Sequence, residues 1–99
     1  MILEIAIFNI RHGMEPEFEA GVMSAIQIFK RAKGCRDFRL TRSIETPSSY
    51  RLLIKWDSVE DHTIEFRGSQ DYLRFRKIVE HCFSAQPDVE HHQEIQINF

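Results

Sequence analysis

Residues 2–10 read Ile-Leu-Glu-Ile-Ala-Ile-Phe-Asn-Ile, and this stretch decides the architecture. Side chains alternate across a strand, so Ile2, Ala6, Phe8 and Ile10 share one face, and Leu3, Ile5 and Ile7 share the other. A strand that is apolar on both faces is buried on both, which places it in the interior of a sheet with each side covered. Arg11-His12-Gly13 then turns the chain towards its first cover.

That cover is a helix over residues 15–33. Pro16 suits a first-turn position, where its missing N–H costs nothing. Phe18, Val22, Ile26 and Phe29 form one stripe at helical spacing. Glu15, Glu17 and Glu19 lie at the positive end of the helix dipole and Lys30, Arg31 and Lys33 at the negative end, with Gly34 as a C′ residue. Residues 36–43 alternate with Phe38 and Leu40 inward, as a half-exposed edge strand does. After the turn at 45–49, residues 50–56 place Tyr50, Leu52, Ile54 and Trp56 on one face, so the two runs pair as a hairpin.

Ser58-Val59-Glu60-Asp61 is a capping-box-like start for a short helix carrying His62 and Phe66. Gly68-Ser69 ends it and caps a second helix whose shared face is Tyr72, Phe75, Val79 and Phe83, closed by Pro87. Residues 89–98 alternate sharply, with Val89, His91, Gln93, Ile95 and Ile97 inward and Glu90, His92, Glu94, Gln96 and Asn98 in water, which marks a second edge strand. The order β-α-β-β-α-β has the ferredoxin-like α+β fold as its simplest closed solution, a four-stranded antiparallel sheet with helices on one face. Residues 1–99 make one such domain. The face opposite the helices still needs a cover, and a second copy of the same sheet supplies it, predicting a homodimer.

Composition narrows the function. A hydrophobic fraction of 42% and a charged fraction of 28% are those of a folded domain. Net charge −2 argues against a nucleic-acid footprint, and no run approaches the length of a membrane span. Cys35 and Cys82 form no CxxC pair, which suits reduced thiols in the cytoplasm. His91 and His92 are strand neighbours facing opposite ways and cannot share an ion, and no HxH or HExxH is present, so no metal is expected. There is no GxSxG nucleophile elbow. The aromatic-basic run 72–77 puts Tyr72 and Phe75 towards the core on a helix, unlike the strand aromatics that stack on RNA bases. What remains is a cluster between sheet and helices: Trp56, His62, Phe66, Tyr72 and His91. It reads either as core aromatics with a structural histidine or as a pocket with an imidazole base.

The run Lys55-Trp56-Asp57-Ser58-Val59-Glu60-Asp61-His62, then Phe66-Arg67-Gly68-Ser69, Tyr72 and Pro87-Asp88-Val89-Glu90-His91, resembles the antibiotic biosynthesis monooxygenase (ABM) domains. The resemblance implies a dimeric α+β barrel with a pocket between sheet and helices. Some members oxidise phenols or quinols with O2 and no metal or flavin, and others degrade haem. The haem-degrading branch uses an Asn, a Trp and a His, and by spacing from Trp56 those positions hold Ala6, Glu65 and Phe75, so that reading ranks last. The resemblance therefore implies a cofactor-independent monooxygenase for a small aromatic substrate. His62 or His91 would be the catalytic base, and Trp56, Phe66 and Tyr72 the substrate walls. A non-catalytic small-molecule-binding protein of the same build is the alternative.

Overall fold

The computed structural model describes residues 1–99. The chain runs β1 (Ile2–Asn9), α1 (Glu15–Ser24), α2 (Ile26–Lys30), β2 (Cys35–Arg42), β3 (Ser49–Trp56), a π-helical segment (Asp61–Phe66), α3 (Gln70–Val79), a 3-10 turn (Glu80–Cys82) and β4 (Asp88–Gln93). The strands form one antiparallel sheet in the order β2-β3-β1-β4, so the two-faced strand is interior and both amphipathic strands are edges. This is the ferredoxin-like α+β fold. Ala6, Phe8 and Ile10 of β1 and its extension, with Tyr50, Leu52, Ile54 and Trp56 of β3, are buried against Phe18, Val22, Phe29, Phe75 and Val79 of the helices. Leu3, Ile5, Ile7 and Leu53 emerge half-exposed on the opposite face.

Three expectations are corrected. The helix anticipated over 15–33 breaks at Ala25, which carries φ −92° and ψ 2°, and ends at Lys30. Ser24 Oγ donates back to the Gly21 carbonyl at 2.7 Å, the kind of local competitor that loosens a helical turn. The break rotates the stripe: Ala25 and Ile28 join the core, and Ile26, expected inside, is 38% exposed.

The last strand, anticipated over 89–98, stops at Gln93. Its partner β1 begins at Ile2, and the final register pair is Ile2↔Gln93, so no backbone remains for residues 94–98 to pair with. Ile95 and Ile97 are consequently exposed rather than inward. The helix carrying His62 and Phe66 is π-helical, with the Arg67 N–H bonded to the His62 carbonyl at 3.0 Å, five residues back. Its start agrees with the capping reading, because the Asp61 N–H donates to Ser58 Oγ. Ser69 likewise caps α3 through the Tyr72 N–H. No helix is long and apolar enough to cross a membrane.

Candidate active site

The antiparallel register sets Glu4 of β1 opposite His91 of β4 on one side and Ile54 of β3 on the other. Residues paired across an antiparallel ladder share a face, so Glu4 and His91 both point to the helix side. Two residues along β3 from Ile54, Trp56 shares that face and donates from Nε1 to Glu4 Oε1 at 2.9 Å. The π-helical segment lies above them, and i→i+5 bonding brings His62 and Phe66 successively onto its buried side. His62 Nε2 stands 3.3 Å from Glu4 Oε1, and its Nδ1 is 2.8 Å from His91 Nε2. The Trp56 and His62 rings stack at 5.3 Å with 19° between planes. The result is a chain of contacts, Trp56–Glu4–His62–His91, running from the core to the half-exposed β4 edge.

Burial sets the electrostatics. The Glu4 side chain is only 6% exposed. Removing it from water favours the neutral acid and pushes its pKa up to about 7, against the smaller opposing pulls of the Trp56 hydrogen bond and the Arg67 charge. His62 moves the other way, to about 3, because burial penalises the imidazolium and Arg67 and His91 add to the penalty. His91 is lowered for the same first reason, with Arg67 second. Near pH 7, then, both rings are neutral and Glu4 is poised between its two forms.

Beside this chain a narrow cleft of about 50 Å3 opens between sheet and helices. Glu4 and His62 supply its polar wall, and Phe66, Tyr72 and Phe75 are among its aromatic walls. Phe29 locks these rings in place, lying 5.0 Å from both Phe66 and Phe75. Of the residues anticipated for the pocket, His62, Phe66 and Tyr72 line it. Trp56 is fully buried behind the lining, where it orients Glu4 and His62 instead of forming a wall. His91 stands at the outer end of this chain of contacts, outside the lining. His12, His81 and His92 are exposed. His81 pairs with Glu17 at 3.0 Å.

Glu4 escaped the reading of the sequence. Its signal was an acidic residue in line with Ile2, Ala6, Phe8 and Ile10 on the core face of the interior strand. A buried carboxyl there demands partners, and its donor Trp56 lies 52 residues away.

Comparison with known proteins agrees with this architecture. The family model "Antibiotic biosynthesis monooxygenase" matches residues 1–78. The uncharacterized protein YczJ of Bacillus subtilis is 35% identical over 95 residues, which cover 96% of this chain and all of that one. A crystal structure from Bordetella bronchiseptica, named for the same family, superimposes with a TM-score of 0.94 at 43% identity, covering 96% of this chain and 97% of its own. SnoaB of Streptomyces nogalater, a cofactor-independent oxygenase, shares the fold with a TM-score of 0.83 over 97% of this chain and 94% of its own, at 17% identity. The chain belongs to the antibiotic biosynthesis monooxygenase family.

Proposed function

We propose that the protein is a cofactor-independent monooxygenase that oxidises a small phenol- or quinol-like substrate with O2, with Glu4 as its general base. The observation that carries this reading is a buried carboxyl with a pKa of about 7 on the wall of an aromatic cleft, held by Trp56 and His62. A base titrating near the working pH combines availability with proton affinity.

The ring packs against Phe66, Tyr72 and Phe75, and its hydroxyl meets Glu4. Glu4 takes the phenolic proton, and the electron-rich anion transfers an electron to O2. Recombination forms a carbon–oxygen bond, and the proton returns from Glu4 to the distal peroxide oxygen. The O–O bond then breaks as the ring C–H proton departs, one oxygen staying as a quinone carbonyl and the other leaving as water. Phenol plus O2 gives quinone plus water, so substrate electrons alone reduce the dioxygen.

The histidines serve Glu4. Neutral Glu4 can donate to His62 only at Nε2, which puts the His62 proton on Nδ1 and makes it a donor to His91 Nε2. That sequence connects the buried carboxyl to solvent and resets its ionisation between turnovers.

The working unit in this proposal is a homodimer joined through the outer sheet face. Leu3, Ile5, Ile7 and Leu53 form an apolar surface there, and Ile95, Ile97 and Phe99 beyond β4 are exposed and able to add to it.

Oxygen consumption tests the function: purified protein treated with chelator is given a panel of phenols and hydroquinones. The reading expects enzyme-dependent O2 uptake with at least one of them, and His62→Gln lowering it. Ligand binding without any uptake across the panel would make the chain a binding protein instead.

A further inference from the structure

Arg67 follows the π-helical segment directly, and its backbone N–H closes that segment on the His62 carbonyl at 3.0 Å. Its side chain lines the cleft. Arg31, Arg36, Arg74 and Arg76 are each engaged by an Asp or Glu. Arg67 is different: it is exposed beside the cleft, forms no ion pair and donates no side-chain hydrogen bond within the chain. Its charge favours the Glu4 carboxylate and disfavours the imidazolium forms of His62 and His91.

The charge balance of the cleft is therefore open. His62 and His91 contribute no charge near pH 7, and burial holds Glu4 back from full ionisation. The other arginine on the lining, Arg76, is committed to Glu80 at 3.3 Å and to the Phe83 ring at 5.4 Å. An unpaired guanidinium beside aromatic walls suits a planar anion with two oxygens, which it can bind in a forked pair of charge-assisted hydrogen bonds. We propose that the cleft selects aromatic acids, with a carboxylate on Arg67, the ring between Phe66, Tyr72 and Phe75, and the hydroxyl towards Glu4.

This assignment rests on the cleft being the phenol site, but it is tested by binding alone, without oxygen. The probes are 2-, 3- and 4-hydroxybenzoate and the matching hydroxybenzamides, which keep the ring and the hydroxyl and lose the charge. Binding is followed anaerobically at about pH 6, where Glu4 is mostly neutral, by calorimetry and by Trp56 fluorescence, in wild type, Arg67→Gln and Arg67→Lys. The best acid should bind wild type at least about ten-fold more tightly than its amide, as a charge-assisted pair is worth. Arg67→Gln should reduce that ratio to near one, and Arg67→Lys should restore part of it. Equal affinity for acid and amide, an undiminished ratio in Arg67→Gln, or no binding of any acid would each overturn the assignment. Failure of O2 uptake with anion selectivity intact would overturn only the oxygenase reading.

Discussion

Glu4 and His62 move in opposite directions on folding, which makes the pair accessible to titration. The Glu4 pKa rises from 4.5 to about 7, so the folded chain holds that proton more tightly and its stability falls as pH climbs between those values. The His62 pKa drops from 6.5 to about 3, so folded His62 binds its proton more weakly and stability rises with pH across that window. From pH 4.5 to 6.5 the two slopes cancel. Glu4→Gln leaves His62 uncompensated, and the gap between variant and wild-type stability should change over this interval by on the order of 1 kcal/mol per pH unit. Urea midpoints measured at half-unit steps check it; parallel curves would count against the Glu4 shift, and a flat Glu4→Gln curve against the His62 shift. Trp56→Phe is a second probe, since the indole N–H favours the Glu4 carboxylate. Its loss should move the pH midpoint of turnover above that of wild type, a displacement that loosened packing alone would not cause. The histidines of the chain of contacts were legible because each sits in an apolar periodicity, His62 in a capped helical start and His91 on the inward face of its strand. Glu4 was not, because one acid amid alternating apolar residues reads as an exception until its partner across the sheet is seen.

At the scale of elements, the interior position of β1 and the edge positions of β2 and β4 followed from which strands are apolar on two faces and which on one. Alternation in sequence could not show that β4 runs out of partner at Ile2, nor that the first helix shifts register at Ala25, since both depend on contacts made elsewhere. Gly34 is a further case. Expected as a C′ residue, it lies four residues beyond the helix end at Lys30; it has φ +78° and sits against Asp61, so a Cβ there would come within 2.6 Å of the Asp61 Cγ. Its carbonyl also accepts the Asp57 N–H at 2.8 Å, tying the α2–β2 turn to the segment that positions His62. Gly34→Ala should destabilise the protein by about 1–3 kcal/mol through the left-handed backbone and the displaced carboxylate. Thermal denaturation reads this directly, and an unchanged melting temperature would contradict the packing described.

For the whole molecule, the division of β1 into two faces has a consequence that the sequence left open. Ile5 and Ile7 lie on the outer face with Leu53, directly opposite Ile5, and not in the helix-side core. Ile5→Glu should therefore abolish the proposed dimer and leave a folded monomer near 11.8 kDa by light scattering. Wild-type protein that is already monomeric at micromolar concentration would contradict the pairing. If one buried carboxyl drives oxygen chemistry in the cleft, its ionisation should govern O2 consumption. With a phenolic substrate, wild-type kcat/KM should rise about ten-fold per pH unit below a midpoint near 7 and level off above it. Glu4→Gln should lose that limb together with about 100-fold or more of the rate. A Glu4→Gln protein that keeps both the rate and the midpoint would contradict the account.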